Sequence, residues 1–219
     1  MKKVNGDLDL EMLTSTSQQI RTGIQRGFSL IELMTVLSIS ALLLMMAGPS
    51  FEESISRNRL RTTLHDLIAM SSFTRSEAII RNVTVSACAS SNGTSCTTSG
   101  WDEGWIVFVD NGNSGGTAGD GLLNGNELLL RVGDSAPGSV SASVRGFVST
   151  TSLTFMPTGR VARNQSGTVV LCDDRGIDYA RALVINVAGQ PRIATTAAGG
   201  FDGGSVEGHD GSPVAACIV

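Results

Sequence analysis

The sequence predicts an α+β fold in which one long N-terminal helix packs on a mostly antiparallel β-sheet domain. Three observations give this prediction. Residues 28–47 form an apolar run, residues 48–81 show a helical recurrence of apolar side chains, and from residue 82 onward short β-like runs alternate with glycine, serine and asparagine. Because the helical patterns come first and the strand patterns follow, the fold class is α+β.

The apolar run over residues 28–47 predicts a transmembrane helix, because about 20 helical residues cross the hydrocarbon core of a bilayer. Glu32 is the only charged residue in the run. A carboxylate in a spanning segment costs on the order of 3 kcal/mol on insertion scales, so we interpret Glu32 as a functional group with a positively charged partner. Residues 1–27 are polar and mixed, and we expect them to form a cytoplasmic leader outside the fold.

Residues 48–81 are predicted to continue the helix as an amphipathic segment. Charged residues lie between the apolar ones, so the apolar stripe is expected to pack on the sheet domain and the other face to meet neighbouring subunits. Pro49 is expected to bend the helix, because proline removes one backbone hydrogen bond and crowds the preceding turn. The predicted stripe consists of Leu60, Leu64, Leu67, Ile68 and Ala78.

The β-sheet domain is assigned to residues 82–194, and its strands form one antiparallel sheet or a pair of sheets. Turn clusters at 157–159 and 188–191 predict hairpins that lead into short return strands at 160–162 and 192–194. Residues 195–219 are predicted to be a Gly/Ala-rich tail that Cys217 ties down. The other predicted strands are residues 83–88, 105–109, 127–132, 153–156, 168–172 and 182–187.

The distribution of charge indicates how the chain is oriented in the membrane and disfavours bulk electrostatic attachment to nucleic acid. Arg21 and Arg26 precede the apolar run, so the positive-inside rule places the N-terminus in the cytoplasm and the β-sheet domain across the inner membrane. The net charge of −4 does not favour bulk attachment to nucleic acid. Any contact with nucleic acid must therefore be a local patch.

The cysteines predict disulfides in an oxidising compartment, here the periplasm. All four follow the apolar run, and an even count in an exported domain favours pairing. Of the three pairings, the short spacing favours Cys88 with Cys96, which leaves Cys172 with Cys217. Free thiols or a metal site are the alternative, and the absence of paired C-x-x-C spacing disfavours a metal site.

The segment Gly27-Phe28-Ser29-Leu30-Ile31-Glu32 resembles the processing site of type IV prepilins and type II secretion pseudopilins. The resemblance implies that a prepilin peptidase cuts after Gly27 and methylates the new N-terminus at Phe28. It also implies that Glu32 pairs with the N-terminus of a neighbouring subunit, and that Pro49 is the helix-bending proline often found in these proteins. The alternatives are a signal anchor or a cleaved secretory signal, neither of which accounts for Glu32. Whether translation starts at Met1 or Met12 stays open.

Later motifs resemble the GspH/FimT family of minor pseudopilins and minor pilins. These motifs are Trp101-x-x-Gly104-Trp105, Phe155-x-x-x-Gly159 and Gly189-Gln190-Pro191-Arg192. The resemblance implies a type IV pilin-like fold and a subunit without enzymatic activity, cofactor or small-molecule substrate. Its expected partners are the peptidase, inner-membrane lipid and other pilins of one filament, either a type IV pilus or a type II secretion pseudopilus.

DNA binding during natural transformation is the alternative function that this resemblance implies, because some family members carry arginines near the last hairpin. Here Arg192 stands alone at that place, and Arg160 and Arg163 lie on another hairpin. No aromatic residues interleave with them to stack bases. Surface arginines paired with Asp173, Asp174 or Asp178 are the competing interpretation.

Two further patterns in the sequence could indicate a hydrolase or a calcium site. Residues 112–116 satisfy G-x-S-x-G with Ser114, but His65 and His209 have no catalytic surrounding, so a glycine loop is favoured over a hydrolase. Residues 110–127 carry oxygen ligands of the kind that Ca²⁺ accepts, but their spacing does not fit the EF-hand loop. A solvated acidic loop is therefore favoured over calcium binding, and no metal site is predicted.

Overall fold

The computed structural model describes residues 27–113, 115–164, 166–194, 207–214 and 217, apart from the side chains of residues 46–50 and 164. Residues 1–26 of the predicted leader, including both candidate start residues, lie outside the described part, as do Ser114 and residues 195–206 of the predicted tail. The chain divides between Ala47 and Gly48 into two units.

The long helix predicted from the sequence is present as α1 (Leu30–Arg81). Among the described residues, no helix is both long and apolar enough to cross a membrane. The last two residues of the predicted span, Met46 and Ala47, and the predicted bend at Pro49 fall where side chains lie outside the description. The span and the bend therefore stay predictions.

In the second unit, α1 buries the predicted apolar stripe. Leu60, Leu64, Leu67 and Ala78 are fully or almost fully buried, and Ile68 packs against them while partly exposed. The buried face also includes polar side chains that are satisfied within the helix. The Thr74 hydroxyl, for example, donates to the carbonyl oxygen of Met70 at 2.7 Å, so its burial leaves no unpaired group.

The β-domain consists of two four-stranded sheets in which every strand pairing is antiparallel. The first sheet has the order β3-β2-β1-β5 and the second has the order β4-β6-β7-β8. The strands are β1 (Val85–Ala89), β2 (Trp105–Val109), β3 (Leu129–Gly133), β4 (Ser141–Arg145), β5 (Ser152–Phe155), β6 (Gly167–Cys172), β7 (Arg181–Ile185) and β8 (Pro191–Ile193).

This architecture confirms the α+β prediction and corrects three details of the strands. Strand β4 was missed, because Ser141, Ala142 and Ser143 carry little of the β-branched signal on which strand prediction depends. The return strand predicted at 160–162 is wrong: Val161 makes one isolated bridge to Phe155, and a 3-10 turn follows at Ala162–Asn164. Three boundaries differ by two residues: β1 and β3 start at Val85 and Leu129 rather than at 83 and 127, and β7 ends at Ile185 rather than at 187.

The central strands of each sheet are covered on both faces. The inner faces contribute to one core with the α1 stripe. On the outer face of the first sheet, Cys96 and Leu123 pack on Ile106 and Phe108. Every residue of β1, β2 and β6 is consequently buried, where a one-sided antiparallel sheet would alternate.

The described part of the tail, residues 207–214, covers the outer face of the second sheet. Val214 is buried against Val170 of β6, and His209 N–H donates to the Thr168 hydroxyl at 2.7 Å. The tail segment is closed by a bridge between Glu207 and Pro213. Within it, the Ser212 hydroxyl bond to the Asp210 carboxylate holds the pKa of Asp210 below its usual value.

Two glycine turns join the two sheets. A Cβ on Gly189, in the turn after β7, would lie 2.2 Å from the carbonyl oxygen of Gly159, in the turn after β5. Val161 N–H donates to the Val187 carbonyl at 3.3 Å, and the Arg75 side chain on α1 donates to the Gly159 carbonyl at 2.9 Å. The glycine motifs noted in the sequence therefore mark the place where the two turns and the helix meet.

Substituting Gly189 with alanine tests this close approach. The new Cβ would clash with a backbone oxygen, and alanine at φ 76° adds the strain of a left-handed conformation. We expect a loss of about 2–4 kcal/mol in the free energy of unfolding, measured by urea denaturation of the detergent-solubilised chain.

Gly211→Ala is the matched control. Gly211 has φ 78°, but a Cβ there meets no atom within 4 Å, so only the backbone strain of about 1 kcal/mol applies. Equal destabilisation by the two substitutions would contradict a steric role for Gly189.

Candidate functional site

The predicted processing site lies at the exposed start of α1. Gly27 and Phe28 precede the helix, and the Phe28 side chain is 83 % exposed. A Cβ added at Gly27 would meet no atom within 4 Å, so the fold of this chain does not require a glycine there. The backbone of α1 begins with a hydrogen bond from Leu33 N–H to the Ser29 carbonyl at 3.1 Å. The first helical turn therefore contains Glu32, where the helix dipole favours a negative charge.

Glu32 is the isolated charge of an otherwise apolar helix surface. The side chains of residues 30–45 are all exposed, and most are large and apolar. The hydroxyls of Thr35, Ser38 and Ser40 donate to carbonyl oxygens of the preceding turn at 2.8–2.9 Å, so these polar groups are satisfied inside the helix. Among the described residues, none pairs with the Glu32 carboxylate.

The three arginines predicted for DNA binding are all exposed in the described β-domain. Arg160 and Arg163 flank Val161 in the turn after β5, and Arg192 lies in β8 opposite Val184. None of the three forms an ion pair with a described acidic residue. The competing interpretation pairs these arginines with Asp173, Asp174 or Asp178. Asp173 already has another partner, because Arg175 binds it through two nitrogens, the shorter contact being 2.6 Å.

The cysteines form two disulfides, Cys88 with Cys96 and Cys172 with Cys217, the pairs that the sequence favoured. Each links a strand to the segment that covers the outer face of its sheet. The second closes a loop with a sequence separation of 45 residues and holds the tail on β6. Restricting such a loop in the unfolded chain stabilises the fold by about 4 kcal/mol in the chain-entropy model.

The histidines do not form a catalytic arrangement with the described residues. His65 lies exposed on α1. His209 Nδ1 lies 3.3 Å from the Thr168 hydroxyl, and its ring occupies the space where a side chain at Gly146 would be. Its contacts are those of a residue that attaches the tail to β6.

Asp110 organises the loop that carries the candidate calcium ligands. The sequence does not predict this structural role. The Asp110 carboxylate is completely buried and accepts hydrogen bonds from Gly119 N–H at 2.6 Å, from Gly121 N–H at 2.9 Å and from the Ser86 hydroxyl at 2.6 Å. Such charge-assisted bonds are about twice as strong as neutral ones. The loop is thus held by its own carboxylate.

Glu127 holds the other end of this loop in the same way, through its carboxylate. Its carboxylate accepts from Gly112 N–H at 3.0 Å and from Asn124 N–H at 3.1 Å. Among the described residues, no group of three or more His, Cys, Asp or Glu side chains is arranged to hold a metal ion.

Comparison with known proteins identifies the family. A family model described as type II transport protein GspH matches residues 63–189, which is more than half of the chain. The chain belongs to the GspH family. A second model, the prokaryotic N-terminal methylation motif, matches residues 24–48. In a GspH-family chain this motif implies processing by a prepilin peptidase, an anchor in the inner membrane and assembly with other pilins, and these families are structural rather than enzymatic.

Two solved structures are similar to this GspH-family chain. Both are crystal structures of the type IV minor pilin FimU from Pseudomonas aeruginosa strain PAO1. The first is 23 % identical, with a TM-score of 0.49 over 64 % of this chain and 91 % of that chain. The second is 21 % identical, with a TM-score of 0.46 over 62 % of this chain and 92 % of that chain. No curated protein matches the sequence.

Asp110→Asn tests whether the buried carboxylate holds the loop. The amide keeps the shape but replaces one acceptor oxygen with a donor that faces a backbone N–H, so a buried donor is left unpaired. We expect a loss of about 2–4 kcal/mol in the free energy of unfolding and faster hydrogen exchange at the amides of Gly119 and Gly121.

The exposed Asp134 provides the control, since Asp134→Asn removes the same charge without a buried contact. If Gly119 and Gly121 exchange at the same rate in the Asp110→Asn variant and in the unsubstituted chain, the proposed role of Asp110 is wrong.

Proposed function

We propose that this chain is a minor pilin or pseudopilin subunit that enters a helical filament through the N-terminal part of α1. In this proposal the peptidase cuts after Gly27, and the ammonium of Phe28 on one subunit binds the Glu32 carboxylate of its neighbour. The observation that supports it best is the isolation of Glu32. It is a carboxylate without a described partner on an apolar helix surface whose hydroxyl groups are satisfied internally.

The physical basis is the cost of a charge in a medium of low dielectric constant. Glu32 alone is unfavourable in lipid by about 3 kcal/mol, and an opposite charge brought by another subunit offsets this cost. Methylation leaves the amine of Phe28 protonated, so the pair is retained after maturation. Because the surrounding apolar contacts have no direction, this pair would fix the axial position of one subunit against the next.

Orientation and compartment form part of the same proposal. The β-domain would lie in the periplasm and the leader in the cytoplasm, as the positive-inside rule predicts. The two disulfides support this, because structural disulfides persist in oxidising compartments and are rare in the cytosol. The proposal covers both the type II secretion pseudopilus and the type IV pilus, since both use the same helix chemistry.

DNA binding is a second candidate function. It is favoured by the exposure of Arg160, Arg163 and Arg192 without an acidic partner among the described residues. An arginine that is not neutralised by its own domain can approach a phosphate group. On a chain with a net charge of −4, so few arginines give a weak, strongly salt-dependent contact.

Glu32→Gln tests the assembly proposal, because glutamine has nearly the same shape and cannot neutralise the ammonium. Losing a charge-assisted hydrogen bond of about 1.5–3 kcal/mol should reduce incorporation roughly 10- to 100-fold. The measurement is an immunoblot of sheared filaments against total membrane protein. The size of the mature band in the same blot reports whether cleavage has occurred.

Glu52→Gln is the matched control, since Glu52 is another exposed glutamate of α1 but lies beyond the apolar run. It should be incorporated normally. Normal recovery of the cleaved Glu32→Gln variant in filaments, equal to that of the cleaved Glu52→Gln variant, would contradict the proposal.

A gel-shift titration of the full chain in detergent tests DNA binding. We expect the paired substitutions Arg160→Ala and Arg192→Ala to weaken binding uniformly across sequences and to lower the slope of log affinity against log salt by about 2. Arg61→Ala, an exposed arginine on α1, is the charge control. The absence of a shift at low salt, or a shift that the paired substitutions leave unchanged, would exclude this function.

A further inference from the structure

A cavity of about 170 Å³ lies along the outer edge of β5. Residues 152–154 of β5 form one side, and residues 161–163 of the following turn form another. The remaining walls come from the loops at 119–120 and 147–149. Because β5 is the last strand of the first sheet, the cavity lies where one more strand would pair.

The hydrogen-bond pattern identifies the backbone groups that face this edge. Ala89 N–H donates to the Thr151 carbonyl at 2.8 Å. Backbone groups in an antiparallel ladder alternate in direction, so those of Thr151 and Leu153 point toward β1 and those of Ser152 and Thr154 point toward the cavity. Ser152 N–H already donates a hydrogen bond to the Ser149 hydroxyl at 3.0 Å. The Ser152 carbonyl and the Thr154 N–H therefore face the cavity, and neither has a hydrogen-bond partner among the described residues.

The open edge is short and bounded. Beyond it, Val161 bridges Phe155 and Met156 N–H donates to the Arg160 carbonyl at 2.9 Å, so the chain covers its own edge from there on. The edge of β4 in the other sheet is also occupied, since Ala142 N–H donates to the Asp102 carboxylate at 3.0 Å. Unpaired backbone groups at a sheet edge can pair with another chain, so the two open residues of β5 offer a short place for a peptide.

Arg163 places a positive charge at this open edge. The Asp120 carboxylate also lines the cavity, and it accepts hydrogen bonds from Leu122 N–H at 2.9 Å and from the Asn124 side-chain amide at 3.0 Å. The Arg163 side chain is exposed, and no described acidic residue pairs with it. Its backbone is in the left-handed region, with φ 60° and ψ 18°, which is unusual for a residue other than glycine. Strain of this kind is found at ligand-binding positions, where the required direction of a side chain outweighs the conformational cost.

The walls of the cavity are fixed before any ligand arrives. The buried carboxylate of Asp110 holds the Gly119 amide at 2.6 Å, and the Ser149 hydroxyl accepts from both Thr151 N–H and Ser152 N–H at 3.3 and 3.0 Å. A preformed site loses less entropy when a ligand binds.

We propose that this cavity binds the C-terminal end of an extended peptide from a partner protein. The peptide would add to the edge of β5, with an N–H donated to the Ser152 carbonyl and an oxygen accepting from Thr154 N–H, while its terminal carboxylate binds Arg163. The open edge of β5 is only two residues long, which suits the terminal residue of a peptide rather than a long strand. Phe147, Val148 and Val161 on the walls favour an apolar last side chain.

This inference goes beyond the assembly function, because no residue of the apolar part of α1 takes part in it. A nucleic-acid phosphate is the other oxyanion that Arg163 could bind. The backbone carbonyl of Ser152 favours the peptide, since it can accept from a peptide N–H and repels a phosphate.

The test uses the full chain in detergent and a fluorescein-labelled peptide, Gly-Ser-Thr-Val-Thr-Val, with either a free or an amidated C-terminus. Fluorescence anisotropy measures the affinity for each form. We expect the acid to bind at least about tenfold more tightly than the amide, as for the loss of one charge-assisted bond. Arg163→Ala should abolish this difference, and Arg61→Ala, an exposed arginine on α1 away from the cavity, should preserve it.

Arg163→Gly separates a lost ligand contact from misfolding. Glycine adopts the left-handed conformation without strain, so this variant should bind the acid as weakly as Arg163→Ala while its Tm rises by roughly 2–5 °C. Loss of the acid preference together with a lowered Tm would indicate damage to the turn and would overturn the assignment.

Three further results would overturn the proposal. The first is equal binding of the acid and the amide, and the second is no binding of either at several millimolar. The third is binding of a thymidine oligonucleotide through Arg163 in the absence of peptide binding, which would assign the cavity to nucleic acid. None of these results affects the incorporation assay on Glu32, so the two proposals fail separately.

Discussion

The two sheets of the β-domain share no strand, so contacts between side chains and turns must hold them together. The α1 stripe contributes to these contacts. Leu60, Leu64 and Leu67 lie in one core with the inner faces of both sheets, and full burial of each leucine contributes about 1.5–3 kcal/mol. The turns at Gly159 and Gly189 add the second connection, at the end where Arg75 reaches the backbone. The helix is therefore the centre of the domain's own core.

Burial of both faces explains where the disulfides lie. A thin segment that covers the outer face of a sheet has few apolar side chains of its own, and the covers here contribute little more than Leu123 or Val214. Each cover is linked to its sheet by one disulfide, at Cys88 and at Cys172. Covalent linkage replaces the burial energy that such short segments lack. Structural disulfides of this kind persist in oxidising compartments.

The sequence predicted the features that depend on local pattern. Leucines at helical spacing identified the buried stripe, and the glycine before Phe28 together with Glu32 indicated the family. Features that depend on partners distant in the chain were missed. Strand β4 begins with Ser141, Ala142 and Ser143, which carry little strand signal of their own, and it pairs with β6. Asp110 cannot be told from any other loop aspartate until the fold brings Gly119 and Gly121 to it. The bond from Arg75 to Gly159 joins residues 84 positions apart, which no periodicity can reveal.

The distribution of exposed apolar side chains bears on the assembly proposed for this chain. Large exposed apolar residues are concentrated on α1, from Phe28 to Phe51, while those of the described β-domain are scattered. In the proposed assembly, this apolar surface is the one that meets the neighbouring subunits. Hydrophobic contact is strong but has no direction, so such a surface binds any apolar helix in any axial position. A charge that is costly when unpaired penalises every arrangement except the one that brings an opposite charge to it. In the proposed assembly this penalty comes from Glu32, the only charged residue among the described residues 28–45.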